Sequence, residues 1–386
     1  MSYIHHIETM VPDTGYSQNE LGRLMMERCD DPKTKRFIKA AHDESGIEMR
    51  YSALSDLKPN TTSSRLFRHA NGSIRKDAST GERNAVFIEE ARKLIPEISR
   101  RALANCSHID KDDITHVITV SCTGCFNPGP DLLVVDALGL SSGVQRYQLG
   151  FMGCYAAMPA LRMAKQFCEA DPSAVVLVAT IELCTLHMQD KEDIDSVVAN
   201  SLFSDGLAVA LISAKPPEAG KRGLAMKHFA SNLAPEGVKD MAWEIGDHGF
   251  DIVLSKYVSR ILGAGIREIV ECAFADSGYL PDDIRKWAIH PGGRAILDKI
   301  ESGLGLEAEQ LEASRTTLAR YGNMSSTTIL FVLADLLGNQ DLEDRDAICA
   351  MAFGPGLAIE SSILRVAVTR EASPTSAKQD AQPLIA

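Results

Sequence analysis

The chain has 386 residues, 45% hydrophobic and 24% charged, the balance of a globular protein with room for two or three packing units. Its 52 acidic and 40 basic residues leave a formal charge of -12, which argues against sequence-independent nucleic-acid binding, since that rests on many Lys and Arg contacts to phosphate. The most apolar run, 174–186, contains Glu182 and is shorter than the roughly 20 apolar residues of a membrane span, so it reads as a buried strand.

The opening MSYIHHIETMVPDTGYSQNE has no basic stretch followed by an apolar one, so no secretory signal is expected. The nine cysteines are irregularly spaced. Free thiols in a reducing cytoplasm are therefore expected.

In chain order, 17–57 is predicted helical and amphipathic, and 82–106 has apolar residues at helical spacing. DITHVITV (113–120) reads as a strand, CTGCFNPGP as a loop, and 131–138 as a short helix. VQRYQLGF is a second strand. Pro159 is tolerated only in a first helical turn, where its missing N–H is not needed, so a helix is predicted from about Cys154 to Asp171. AVVLVAT and 201–213 give further strands. A long helix is expected over 251–277. KWAIH is a strand ending at His290, followed by a PGG turn and a helix. YGNMSS is a loop, STTILFVLADLLG a helix, and ICAMAFGPGLAIESSIL two strands about a glycine turn. The residues after 370, rich in Pro and Ser, are expected to form a mobile tail.

The tripeptide Asp112-Asp113-Ile114 precedes one strand, and Asp282-Asp283-Ile284 precedes another 170 residues later. Each follows a helix with a late cysteine, Cys106 or Cys272. This suggests an internal duplication. Alternating strands and helices predict mostly parallel sheets covered by helices, and two such halves packed together give a layered α/β protein. Functional residues in such sheets gather at the carboxyl ends of strands.

Three residues stand at such ends. Cys154 follows a strand and opens a helix, where free N–H groups and the dipole favour a thiolate. Gly153 beside it permits tight geometry and close approach of a substrate. His290 ends KWAIH, and Asn323 sits in RYGNMSS, a setting that also suits an Asx turn. A cysteine nucleophile needs an imidazole partner, and thioester chemistry needs two donors where negative charge develops on the carbonyl oxygen. Cys122 and Cys125 form a C-x-x-C with no second ligand pair, so neither a metal site nor a redox pair is expected. Phe353-Gly-Pro-Gly-Leu357 lacks dinucleotide-fingerprint spacing, and there is no P-loop. No cofactor is expected.

Five stretches, GFMGCYAAMPALRMA, LFSDGLA, AIHPGGRAILD, RYGNMSSTTILF and AFGPGLAIE, resemble type III polyketide synthases of the chalcone synthase-like branch of the thiolase fold. The resemblance implies an α/β, thiolase-like αβαβα fold made of two duplicated halves, 1–225 and 226–370. It implies a homodimeric acyltransferase that loads a starter acyl-CoA on Cys154. Malonyl-CoA is decarboxylated beside His290 and Asn323, and the chain is extended repeatedly and cyclised. Phe203 and Phe250 match two aromatic residues between the CoA tunnel and the cavity. Cys184, Thr185, Gly354 and Pro355 fall at cavity positions, and Asn127 matches a residue lent to the partner subunit. Lys33, Lys35, Arg36, Lys39 and Arg294 are the candidates for CoA phosphate contacts, with Glu44 where a lysine is usual. The wording around Cys184 is closer to bacterial members, so a fatty acyl starter and an alkylpyrone or alkylresorcinol product are expected. The alternatives are a single-round synthase acting on acyl carrier protein, or an inactive relative.

Overall fold

The computed structural model describes residues 1–369 apart from 59, 60, 62, 63, 70, 72 and 256. The expected tail lies outside them. The first half comprises β1 (Ser2–Met10), β2 (Thr14–Ser17), α1 (Gln18–Arg28), α2 (Pro32–Asp43), β3 (Met49–Ser52), α3 (Thr80–Ala104), β4 (His116–Ser121), α4 (Pro130–Leu138), β5 (Gln145–Gly150), α5 (Ala157–Ala170), β6 (Val175–Leu183), α6 (Ile194–Leu202) and β7 (Asp205–Ser213). The second comprises β8 (Arg222–Leu233), β9 (Met241–Gly246), β10 (Gly249–Leu254), α7 (Tyr257–Phe274), β11 (Ile284–Ile289), α8 (Arg294–Leu304), α9 (Glu312–Tyr321), α10 (Thr328–Gly338), β12 (Ala347–Gly354) and β13 (Ala358–Val368).

Nine strands form one sheet in the order β11-β12-β13-β8-β1-β7-β6-β4-β5. The pairing repeats about its middle. β4 runs parallel to β6, β6 antiparallel to β7, and β7 antiparallel to β1. In the same way β11 runs parallel to β12, β12 antiparallel to β13, and β13 antiparallel to β8. β1 and β8 join the halves antiparallel. The sequence repeat has its own local structure. Asp113 accepts the N–H of Asp110 at 2.9 Å, and Asp283 accepts that of Leu280 at 2.8 Å. Each caps a short 3-10 turn that feeds the equivalent strand, β4 or β11.

Strand alternation builds the layers, because successive side chains point to opposite faces. In β6, Val176 and Val178 face one core while Val175, Leu177, Ala179 and Ile181 face another. In β12, Ile348, Ala350 and Ala352 share the first core while Cys349, Met351 and Phe353 face a third. The shared core holds α5 and α10 between the two half-sheets. α1, α3 and α4 cover one outer face, and α7, α8 and α9 the other. The result is α, β, α, β, α.

The structure corrects several expectations. Of eight strand pairings in the sheet, three are parallel and five antiparallel. The apolar runs that suggested parallel strands arise because central strands here are covered on both faces, whatever their direction. The stretch 17–57 is two short helices and a strand, broken where Asp31 accepts the N–H of Thr34 at 2.8 Å and Pro32 opens α2. The predicted helix over 251–277 begins as β10, the second strand of a hairpin with β9, and turns helical only at Tyr257.

Candidate active site

Cys154 lies in the connection between β5 and α5. Phe151 (φ 58) and Gly153 (φ 86) turn the chain sharply. The N–H of Gly153 donates to Cys122 Sγ at 2.9 Å. The helix starts three residues later than predicted, at Ala157, and its cap, Ala156, makes no side-chain cap bond. The N–H groups of Ala156 and Met158 donate to the carbonyls of Gly153 and Tyr155, so they are not gathered on the sulfur. Nor does Gly153 leave room for a ligand, because Pro355 occupies the space beside it.

The residues that face the sulfur come from elsewhere in the chain. Burial pushes the Cys154 thiol up to about 12, opposed by hydrogen bonds from Ser325, Asn323 and its own N–H. His290 follows β11, and its N–H is held by Met351 O at 2.8 Å. Its side chain is 1% exposed, and neither ring nitrogen has a hydrogen-bond partner. Burial holds the imidazole down at about 3. Cys154 and His290 are therefore both neutral at rest.

Asn323 follows α9 and Gly322 (φ 71). Its backbone bridges to the Phe203 segment, with its N–H on Leu202 O at 2.9 Å and its C=O on the N–H of Ser204 at 2.8 Å. Its side chain makes the expected Asx turn, accepting the N–H of Ser325 at 2.9 Å, and also donates to Gly292 O at 3.3 Å. The second amide N–H is turned to the Cys154 sulfur, where a group bound to that sulfur could share it. Arg50 fixes the same segment through Asn200 O at 2.7 Å and Phe203 O at 2.9 Å.

Cys154, His290 and Asn323 line one cavity, whose other walls include Met241, Trp243, Ile252, Leu254, Ile296 and Phe353. Three positions on three separate connections thus converge on a mostly apolar chamber. Against it lies an outer cavity. The two share Cys184, Phe203, Trp243 and Ile252. Phe250 and Thr185 line the outer cavity alone. Pro355 lines the inner one, whereas Gly354 sits behind it against the Tyr155 ring. Asn127 is exposed and lines neither cavity of its own chain. Lys33, Arg36 and Lys39 are exposed, Lys35 is half-buried, and Arg294 pairs with Asp298 at 3.5 Å. None of these five lines either cavity. Cys122 is buried in the inner wall while Cys125 is exposed, so the C-x-x-C does not converge on one point. Among the described residues no group of three or more His, Cys, Asp or Glu could hold a metal ion, and no helix is long and apolar enough to cross a membrane.

Sequence reasoning missed three contributors. Ser325 (φ 49) lines the inner cavity in a backbone conformation rare for serine. Glu182, fully buried, accepts the N–H of Cys122 at 3.0 Å, the Thr123 hydroxyl at 2.9 Å and the Ser326 hydroxyl, tying two cavity loops together. Burial pushes its carboxyl up to about 7. Its signal was a lone carboxylate inside an apolar strand. Trp243 belongs to the hairpin, whose signal was Met241-x-Trp243 and Ile252-x-Leu254 alternating on either side of a Gly/Asp turn.

Comparison with known proteins gives this geometry a family. Residues 2–216 match the model of the chalcone and stilbene synthase N-terminal domain, and 225–368 that of the C-terminal domain. The chain is 31% identical over 373 residues to "Alpha-pyrone synthesis polyketide synthase-like Pks18" of Mycobacterium tuberculosis, covering 95% of this chain and 91% of that one. It is 29% identical over 356 residues to type III polyketide synthase B of Arabidopsis thaliana, covering 89% and 88%. Among solved structures, PKS-I of the brown alga Ectocarpus siliculosus superposes with a TM-score of 0.86 at 28% identity, covering 94% of this chain and 98% of that one. The 1,3,6,8-tetrahydroxynaphthalene synthase of Streptomyces coelicolor superposes with a TM-score of 0.82 at 25% identity, covering 96% and 100%. With both domains matched, the same fold, and a buried cavity where its Cys, His and Asn meet, this chain belongs to the chalcone and stilbene synthase family of type III polyketide synthases.

Proposed function

We propose that this enzyme loads a fatty acyl group from acyl-CoA onto Cys154, extends it with malonyl-CoA over several rounds and releases a cyclised alkylpyrone or alkylresorcinol. The convergence of Cys154, His290 and Asn323 on one apolar chamber carries this reading. Its aliphatic and aromatic walls suit a hydrocarbon chain better than a polar starter, and the mycobacterial relative is named for alpha-pyrone synthesis.

The chemistry follows from the resting charges. His290 takes the Cys154 proton as the sulfur attacks the starter thioester, so the two buried charges form together and offset each other. CoA leaves as the thiol. Malonyl-CoA then loses carbon dioxide, and the negative charge that develops on its thioester oxygen is met by the His290 ring N–H and the Asn323 amide N–H that faces Cys154. The enolate carbon attacks the acyl-Cys154 carbonyl, forming a carbon–carbon bond and expelling the sulfur. The lengthened acyl-CoA reloads the cysteine for another round.

The outer cavity provides the path for the pantetheine arm. It shares Gln189, Lys191 and Asn200 with a third hollow lined by Thr34 and Ile38 of α2. Lys33, Lys35, Arg36 and Lys39 on that helix, and Arg294 near the loop after it, are proposed to take the CoA phosphates. Two copies are proposed to pair through β5, an edge strand with largely exposed side chains, which would otherwise be an open template for association. Asn127 would then reach the partner's cavity. The units of the duplication are proposed to divide between β7 and β8, since the expected boundary at 225/226 falls inside β8, and the nine unpaired cysteines suit a cytoplasmic enzyme.

Incubation with labelled malonyl-CoA and a panel of acyl-CoAs tests the reading. Release of carbon dioxide with cyclised, multiply extended product supports it. A single extension that requires acyl carrier protein favours a one-round synthase, and no turnover with any starter favours an inactive relative.

A further inference from the structure

An ion pair stands on the rim of the outer cavity. Lys191, in the connection between β6 and α6, and Asp251, on β10, both line that cavity. Lys191 Nζ donates to Asp251 Oδ1 at 2.7 Å, which holds the carboxyl below its ordinary range. Gln189 Nε2 donates to the same oxygen at 3.0 Å and to Phe250 O at 3.1 Å. Asn200 Nδ2 in turn holds Gln189 O at 2.7 Å. The Lys191 and Asp251 side chains are each 47% exposed, and ion pairs this open to water are weak and exchange easily.

Lys191 also lines the third hollow, beside Thr34 and Ile38 of α2. The other cations in these two linings are committed. Arg50 donates to Gln18 Oε1, Asn200 O and Phe203 O. Arg28 is bound to both oxygens of Asp190 and to the carbonyls of Phe67 and Arg75. The neighbouring carboxylates are occupied too. Asp193 caps α6 through the N–H and hydroxyl of Ser196, and Glu192 takes the Cys29 thiol at 3.5 Å. Lys191 is left as the cation that can change partners. Its four-carbon stem is flexible, and when it swings away Gln189 still holds Asp251.

We propose that Lys191 is a further substrate-binding residue: it leaves Asp251 for the pyrophosphate of an arriving CoA thioester and returns to Asp251 when the cavity empties. This rests on the proposed use of CoA thioesters. Lys33, Lys35, Arg36, Lys39 and Arg294 line neither cavity, so a pyrophosphate whose pantetheine arm fills the outer cavity meets Lys191 first. The ammonium exchanges one oxyanion for another and is never left unpaired, and phosphate oxygens suit a compact charge with rotatable donors.

The test compares two thioesters of one acyl chain, acyl-CoA and acyl-pantetheine, which lacks the nucleotide and its phosphates. Intact-protein mass spectrometry follows loading of Cys154, and the ratio of the two kcat/KM values isolates the contribution of the nucleotide end. In Lys191→Met the ratio should fall about three- to tenfold, the loss of one charge-assisted contact. In Asp251→Asn, which frees the ammonium, it should rise about two- to fivefold. Lys191→Arg keeps the charge and should restore most of the ratio. A merely structural latch would change loading from both thioesters alike. An unchanged ratio in Lys191→Met and Asp251→Asn therefore overturns the proposal, as does a fall in Asp251→Asn. A wild type that loads Cys154 from neither thioester overturns the nucleophile assignment itself, and this proposal with it.

Discussion

Pro355 occupies the space that a side chain on Gly153 would need: a Cβ built there falls 2.3 Å from Pro355 Cδ. The contact has a mirror one residue along, where a Cβ on Gly354 would fall 2.3 Å from Tyr155 Cδ1. The GFMGCY and AFGPG stretches, some 200 residues apart in sequence, therefore lock Gly-to-side-chain in both directions. This lock fixes the turn that presents Cys154.

Gly153→Ala should strip the protein of both stability and loading. The φ of 86 alone costs a non-glycine residue about 1–3 kcal/mol, and the overlap with Pro355 adds to it. Thermal unfolding should show a lowered midpoint, and mass spectrometry should show little acyl-Cys154. Adding Pro355→Gly should recover part of the stability by removing the overlap while leaving the strain. A Gly153→Ala protein with wild-type midpoint and loading would show that the lock does not matter.

His290→Gln should leave Cys154 without an acceptor for its proton. The thiol raised to about 12 by burial then governs reactivity, and alkylation by iodoacetamide near pH 7 should fall about 10²–10⁴-fold. Because only the thiolate reacts, the variant's rate should climb about tenfold per pH unit through the neutral range. A variant that alkylates as fast as wild type at pH 7 would mean that His290 does not assist the sulfur.

Asn323→Ala should separate loading from decarboxylation. Loss of one donor at a developing oxyanion typically costs about 10²–10³-fold, so carbon dioxide release from malonyl-CoA should fall by that factor. Cys154 should still accept a starter, since the sulfur is not removed. Equal losses in both steps, with a lowered unfolding midpoint, would point instead to collapse of the Asx turn through Ser325.

The acid limb of stability should be set by buried histidines. His5, His42 and His187 are held at about 4 and His290 at about 3, all by burial, against an ordinary value of 6.5. Between pH 6.5 and 4.5 the unfolded chain binds protons at these sites and the folded one does not, so stability falls as pH falls, by up to about 1.4 kcal/mol per pH unit for each. Glu182 and Asp205, raised by burial to about 7, act with the opposite sign in that window, because the folded state holds their protons. His116 is lowered as well and Asp195, Asp335 and Glu360 are raised, all by smaller shifts, so among the large shifts four histidines stand against two carboxyls and the denaturant midpoint should drop on acidification. Glu182→Gln removes one opposing site and should steepen the drop. A flatter profile in that variant would reverse the sign assigned to Glu182.

Residues in short glycine-bearing turns were legible in the sequence. Cys154, His290 and Asn323 each stand beside glycines that force a local conformation, and Pro159 bounded the start of α5 to within a turn. What was illegible depended on partners far away. Gly153 read as open space because nothing nearby in sequence reveals Pro355. Cys154 read as a helix-stabilised thiolate because the turn hydrogen bonds of Ala156 and Met158 are three-dimensional facts. The end of β10 was absorbed into the helix predicted over 251–277 and β9 was not assigned, although Met241, Trp243, Ile252 and Leu254 alternate with period two. The duplicated Asp-Asp-Ile tripeptide was a true signal, because it carries its own capping geometry wherever it occurs.

In the proposed reaction Cys154 carries the acyl chain. Peptide mass spectrometry after incubation with a long-chain acyl-CoA, followed by a malonyl-CoA chase, tests it most directly. The wild type should show an acyl adduct on the Cys154 peptide and its conversion to extended product on the chase, and Cys154→Ala should show neither adduct nor product. An adduct on another residue, or extended product from Cys154→Ala, would contradict it.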